Sequence, residues 1–310
     1  MTKFLILVDC SYWMYHTIYG AITTFQNDYP TEASHWLKPI EETDQDNLPD
    51  LLNCDLFKQI LRQQVMKRCE TIDWLAKQNC QDVIDSVDKI DIVFAVDDRT
   101  SNSFRRKLYP AYKAHRDLIK KQFKMFPIHH YILNVIFKDL ELVEKYRYKF
   151  VKVADAEGDD IIACLLKNYK NDYEECLLIA SDKDFLQIDG IKQVDLMGRI
   201  PERKIANEKL TASEYLLCKI LLGDKSDNIS NVFRGIGQKR VIPLIKDKNL
   251  LKEKLLQDPL AAKQFQLNKK IISFNEIPKT LSDNILEKIN EQLYRNEILN
   301  ENDDLSIWMI

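Results

Sequence analysis

Acidic residues close four short apolar runs: Leu7-Val8-Asp9, Phe94-Ala95-Val96-Asp97-Asp98, Ala154-Asp155-Ala156-Glu157-Gly158-Asp159-Asp160 and Ala180-Ser181-Asp182-Lys183-Asp184. One aspartate in such a place commonly caps the next helix or makes a turn. Four of them, on strands of one open parallel sheet, gather beyond the carboxyl ends of the strands, where ligands of such sheets bind. So many like charges repel unless cations neutralise them. Hard divalent cations take oxygen ligands, and magnesium is held by a few carboxylates with water and phosphate. Glu157 and Asp160 stand three apart at a helix start, although acids there also suit the helix dipole. Asp224 and Asp227 repeat that spacing within Gly223-Asp224-Lys225-Ser226-Asp227-Asn228. Together these acids supply enough ligands for two magnesium ions about 4 Å apart, a device that cuts phosphodiester bonds without a histidine base. No zinc pattern competes, since His129 and His130 are adjacent and His16, His35 and His115 stand alone.

A basic stretch follows the second acidic end. It runs from Ser103 through Phe104-Arg105-Arg106-Lys107-Leu108-Tyr109 and Tyr112-Lys113-Ala114-His115-Arg116 to Lys120, Lys121 and Lys124, with Asp117 its single acid. Cations interleaved with aromatics suit a nucleic-acid strand, the charges meeting phosphates and the rings stacking on bases; the alternative is a solvated helix face. Arg234-Gly235-Ile236-Gly237-Gln238-Lys239-Arg240, flanked by Val232, Val241 and Ile245, reads as a tight turn between helices whose backbone N–H groups hold a phosphate.

The elements that must position these groups are legible as well. Phe4 to Val8, Ile90 to Val96, Phe150 to Val153, Cys176 to Ala180 and Val194 to Met197 read as strands. Helical periodicity runs over Asp55 to Ala76, Asp159 to Lys167 and Ala212 to Leu222. The alternation predicts an α/β fold with a mostly parallel central sheet flanked by helices, over about residues 1–205. From there the pattern turns helical and Lys-rich, predicting a second, helical subdomain over 206–310. Residues 26–50, with Pro30, Pro39 and Pro49 and an excess of acids, read as a surface insertion. A chain of 310 residues buries a full core, and its seven scattered cysteines favour reduced thiols. Met1 to Val8 reaches Asp9 too soon for a signal peptide and no apolar stretch approaches spanning length, so a soluble protein of the cytoplasm, with no membrane association, is expected. The net charge of −3 does not exclude nucleic acid, because the two signs are segregated.

With Val8-Asp9, Val96-Asp97-Asp98, Phe104-Arg105-Arg106, Tyr112-Lys113, Glu157-Gly158-Asp159-Asp160, Ser181-Asp182-Lys183-Asp184, Gly223-Asp224, Asp227-Asn228 and Gly235-Ile236-Gly237 in this order, the chain resembles the 5′ nuclease (flap endonuclease) superfamily, most of all its T-even bacteriophage ribonuclease H branch. The resemblance covers residues 1 to about 245 and continues weakly through Phe274-Asn275-Glu276-Ile277-Pro278. It implies that Asp9, Asp97, Glu157 and Asp159 surround a first metal, with Asp182 shared or close by. Asp182, Asp184, Asp224 and Asp227 would serve the second, while Asp160 is less uniformly acidic across the superfamily. Lys113 and Arg105 would reach the scissile phosphate at the base of a helical arch near 103–126. Arg106, Tyr112, Arg116, Gly235, Gly237, Lys239 and Arg240 would contact DNA, the last four in a helix-hairpin-helix element near 223–245 that in some members holds K+. Mg2+ would be the working ion, with Mn2+ able to substitute. The implied activity is 5′ to 3′ exonuclease, flap endonuclease and ribonuclease H action that removes RNA primers during lagging-strand replication, by a monomer encoded by a phage. Two features depart from the pattern: Gly158 stands where alanine is usual, and residues 26–50 are long. The rival readings are a single-strand ribonuclease of the PIN type, which should lack the glycine hairpin, and a non-catalytic DNA-binding relative, which should lack some of the acids. Finally, the apolar tail Leu305-Ser306-Ile307-Trp308-Met309-Ile310 suggests docking on a sliding clamp or a single-strand-binding protein, or simply packing on its own domain.

Overall fold

A computed structural model of the chain describes residues 2–38, 48–98, 102–118, 121–142 and 148–294. Five strands form, four where expected and the fifth displaced so that it shares only Val194 with the expected run: β1 (Lys3–Asp9), β2 (Lys89–Val96), β3 (Tyr148–Lys152), β4 (Glu175–Ile179) and β5 (Lys192–Val194). They make one wholly parallel sheet in the order β3-β2-β1-β4-β5. β5 stops short of the expected Met197 because Asp195 leaves the sheet, its carboxylate accepting the N–H groups of Met197 and Arg199. A two-residue hairpin, β6 (Lys204–Ile205) and β7 (Glu208–Lys209), stands apart.

The helices are α1 (Cys10–Asp28), α2 (Pro30–Trp36), α3 (Asp55–Ile84), α4 (Phe104–Leu108), α5 (Met125–Tyr131), α6 (Gly158–Tyr169), α7 (Ala212–Leu222), α8 (Gln238–Lys246), α9 (Lys248–Gln257), α10 (Pro259–Ile272) and α11 (Lys279–Tyr294). On one face of the sheet α1, α3 and α5 bury an aromatic layer in which Trp13, Phe94, Phe137 and Phe150 meet mostly edge to face. On the other face α6 packs Ile161, Ile162 and Leu165 against Leu5, Leu7 and Val93. Strands covered on both faces carry nearly unbroken apolar runs, which is why β1, β2 and β4 were legible. Each such leucine or isoleucine contributes about 2 kcal/mol through the area it removes from water.

Two expectations are corrected. Residues 26–50 are not wholly irregular: Gln26, Asn27 and Asp28 close α1, and α2 follows with Pro30 in its first turn. The second subdomain does not hold everything after 206. Helices α7 to α10 share their own core around Tyr215, Leu221, Val241 and Leu244, but α11 returns to the sheet and inserts Leu281, Ile285 and Ile289 against α6. The physical reason is the apolar stripe of α11, which matches the exposed flank of α6 rather than the Lys-rich faces before it. The tail 305–310 lies outside the described residues, as does Lys120. All seven cysteines are buried and none forms a disulfide, and among the described residues no helix is long and apolar enough to cross a membrane.

Candidate active site

The carboxyl ends of β1, β2 and β4 and the start of α6 converge. Asp9 ends β1 and caps α1, its Oδ1 accepting the Tyr12 N–H at 3.0 Å. Asp97 follows β2; its Oδ1 accepts the Gly158 N–H at 2.5 Å and its Oδ2 the Ser11 hydroxyl. Asp159 lies in the first turn of α6, and Asp182 caps the short helix Lys183–Gln187 by accepting the Asp184 N–H at 2.7 Å. The start of α6 lies close against β2: a Cβ at Gly158 would stand 3.1 Å from both the Ala95 carbonyl oxygen and Asp97 Oδ1, so an alanine there would need a shift of a few tenths of an ångström.

Two of these acids, Asp9 and Asp159, are raised by burial and by their neighbours. Burial first, then Asp97 and Asp182, push the Asp9 carboxyl up to about 7. Burial, followed by Asp182 and Asp9, holds Asp159 well above the ordinary carboxylate range. A set of oxygen donors that destabilises its own ionised form fits a divalent cation, because a nearby double positive charge reverses every one of those shifts. Among the described residues, however, no three such side chains stand ready to hold one ion between them. The cause is visible: several carboxylate oxygens are turned into N–H, O–H or ammonium donors of the protein, from which they must rotate to coordinate.

The remaining acids each meet a side-chain cation, two of them the same one. Glu157 caps α6 and accepts from Lys113 Nζ at 2.7 Å and from the Tyr112 hydroxyl at 3.1 Å. Burial would raise Glu157, but Lys113 and Arg105 outweigh it and bring the carboxyl down to about 2. Lys219 Nζ bridges Asp184 at 2.8 Å and Asp224 at 2.6 Å. Against the effect of burial, that ammonium and Ser226 lower Asp224; Asp184 stays raised, by burial and by Asp182. Asp227 pairs with Arg116 at 2.5 Å, yet burial keeps it raised.

Three sequence expectations change here. Asp160 is fully buried and faces away from the cleft: Arg105 Nη2 and Nη1 meet its two oxygens at 2.8 and 3.0 Å, and it accepts the Glu157 N–H at 3.1 Å. Arg105 is correspondingly 3 % exposed, with Nε donating to the Ile271 carbonyl at 2.8 Å, so it braces the start of α6 instead of reaching for a phosphate. Tyr112 is also buried, beside Ile220 and Ile271, and its ring is not available to stack on a base. The expected arch begins with only five helical residues in α4, then a turn with Lys113 at positive φ, then a short helix over Ala114–Leu118. Arg106 is half-buried, and Arg116 is exposed apart from its pairing with Asp227.

The glycine turn forms as expected between α7 and α8, over buried Val232, Ile236, Val241 and Ile245. Gly235 takes φ +72°, which a side chain would strain, and Gly237 caps α8 with Lys239 and Arg240 exposed beside it. Two contributors were missed. Ser11 stands two residues after Asp9, and Lys219 is the one cation inside the otherwise apolar Tyr215-Leu216-Leu217-Cys218-Lys219-Ile220-Leu221-Leu222, a break in pattern that marks it.

Residues 76–215 match the family described as "5'-3' exonuclease, N-terminal resolvase-like domain". The thermostable DNA polymerase I of Thermus caldophilus is 31% identical over 168 residues, 52% of this chain and 19% of the polymerase. Ribonuclease H of Enterobacteria phage T4 is 24% identical over 220 residues, 64% of this chain and 69% of that protein. The 5'-3' exonuclease of Buchnera aphidicola is 27% identical over 163 residues, 51% of this chain and 52% of that protein. The chain thus spans about a fifth of the polymerase it matches. Among solved structures, the bacteriophage T5 flap endonuclease in a pseudo-enzyme-product complex with DNA and metal ions has the same fold, with TM-score 0.56 and 16% identity over 93% of this chain and 98% of that one. The T5 5'-exonuclease with zinc bound gives TM-score 0.55 and 17% identity over the same shares. By its matched segment and its parallel sheet, the chain is similar to the 5′ nucleases over residues 76–215 and shares the fold of the T5 flap endonuclease.

Proposed function

We propose that this protein is a divalent-metal-dependent 5′ nuclease that cuts phosphodiester bonds near the 5′ end of a strand in flap or duplex DNA and in RNA·DNA hybrid. The observation that carries the proposal is the elevation of Asp9 and Asp159 by burial and by Asp97 and Asp182 at converging strand ends. Two Mg2+ ions, replaceable by Mn2+, fit that donor chemistry, and when bound they supply an activated hydroxide and charge stabilisation at the leaving oxygen. Asp9, Asp97, Glu157 and Asp159 would surround the first, with Asp182 shared or close by, and Asp184, Asp224 and Asp227 would serve the second. Glu157 orients Lys113, whose ammonium is held well above its ordinary value by Tyr112 and Glu157 in spite of its burial. That keeps a fixed positive charge beside the carboxylates, where it can take a phosphate oxygen. Arg106 and Arg116 line the approach, and the turn from Gly235 to Arg240 grips the duplex backbone, with K+ as the ion its carbonyls would favour. The biological role this supports is removal of RNA primers from lagging-strand fragments, by a monomer.

Cleavage of a 5′-labelled flap duplex and a 5′-labelled RNA·DNA hybrid, with Mg2+ or EDTA, tests this. Wild type should release short 5′-terminal products only with Mg2+, and Asp159→Asn should release none. Tight binding without cutting by wild type would make the protein a non-catalytic relative.

A further inference from the structure

Asp182 and Asp184 sit on a turn whose main chain is held largely from outside. Gln193, on β5 and 5 % exposed, directs Nε2 to the carbonyl oxygens of Ala180 at 3.1 Å and Asp182 at 2.6 Å. Arg203, just before β6, directs Nε to the Leu186 carbonyl at 2.7 Å and Nη2 to that of Ile188 at 2.6 Å, while Nη1 pairs with Asp189 at 2.6 Å. Two side chains therefore fix four carbonyls along the segment that carries two of the candidate metal ligands. Both also line a cavity of about 640 Å³, shared with Gln78, Asn79, Ile200 and Lys209. None of the candidate metal carboxylates lines that cavity.

The oxygen of the Gln193 amide is buried without a hydrogen-bond partner. Leaving such an atom unpaired is costly, and methionine or leucine of similar volume would fill the space without that cost. The residue is explained by its donor, whose two acceptors frame Asp182. A carbonyl held at 2.6 Å fixes the peptide plane and so the direction in which the Asp182 side chain leaves the backbone. We propose that Gln193 and Arg203 are positioning residues that set the geometry of Asp182 and Asp184 for their metal. This rests on the metal-dependent reading above.

The test uses the full chain as Gln193→Met, which keeps volume and removes the donor, and as Arg203→Lys, which keeps charge and loses the second arm. Mn2+ binding without nucleic acid is measured by electron paramagnetic resonance, flap cleavage is titrated with Mg2+, and thermal unfolding is followed in EDTA. Removing a group that orients a ligand weakens metal binding roughly 10-fold or more. Mn2+ affinity should fall by that factor, the Mg2+ concentration for half-maximal cleavage should rise to match, and excess Mg2+ should restore the rate while flap affinity in Ca2+ is unchanged. A role in folding alone would lower the unfolding temperature without a metal-reversible loss. If both variants bind Mn2+ as wild type does, or if excess metal restores nothing, the positioning role is overturned. A wild type that binds no Mn2+ and cuts nothing would instead overturn the metal reading, and this inference with it.

Discussion

Asp9 at the end of β1 and Glu157 at the start of α6 belong to one cleft, yet their surroundings drive them in opposite directions. Asp9 rises to about 7 under burial and the charges of Asp97 and Asp182, whereas Glu157 falls to about 2 because Lys113 and Arg105 outweigh its burial. The cleft therefore holds an inner set of acids facing one another, Asp9, Asp97, Asp159 and Asp182, and an outer set in which Glu157, Asp160, Asp184, Asp224 and Asp227 each meet a side-chain cation. The difference separates two uses of the same residue type. Outer acids already meet a protein cation, which a second metal would share or displace at Asp184, Asp224 and Asp227; inner acids repel one another until an exchangeable ion neutralises them.

The hardest break of the comparison is in the outer set. Arg105→Met strands Asp160 in the core, and losing one partner of a buried pair costs about 3–5 kcal/mol. Urea unfolding in EDTA should show it, and a loss below about 1 kcal/mol would mean that the pair does not brace the fold. The next effect belongs to the inner set. A carboxyl raised in the folded state contributes stability that is complete below its unfolded pKa and disappears as pH rises through the folded value. For Asp9 that window runs from the ordinary 3.8 to about 7. Metal-free protein should lose on the order of 4 kcal/mol across it, and Mg2+ should remove the loss. Asp159→Asn should reduce that slope and raise the metal-free unfolding temperature at pH 8. Calorimetry that found the variant less stable than wild type there would erase the distinction between the sets. The smallest effect sharpens the outer definition. Lys107 and Asp155 pair at 2.9 Å but are 60% and 41% exposed, so Lys107→Ala should change stability by less than about 0.5 kcal/mol, against the large cost at buried Arg105.

The strand ends were legible because apolar β-branched runs that stop at an acid leave little choice of structure, and α7 was placed to the residue. The helix after Asp9 was also readable, since Trp13, Met14, Thr17, Ile18, Ala21, Ile22 and Phe25 repeat at helical spacing, but it was not drawn out. Arg105 could not be distinguished from the cations around it. Its partners, Asp160 and Ile271, lie 55 and 166 residues away, and nothing local states which member of a basic run turns inward. Tyr112 misled for the same reason, as its hydroxyl finds Glu157 across 45 residues. Local pattern specifies elements; only tertiary contact specifies which charges are structural.

The return of α11 to the sheet has a consequence for the order in which the molecule is made. Ile285 and Ile289 are wholly buried against α6, the helix whose first turn carries Asp159. During synthesis the amino-terminal three-fifths of the chain emerges with that flank of α6 bare, although domains generally fold as units. The cleft at the head of α6 is thus assembled on a helix that remains half-supported until residues near 290 have left the ribosome. A nascent chain is a different object from the finished one, with its acids already in place and the floor beneath them still missing.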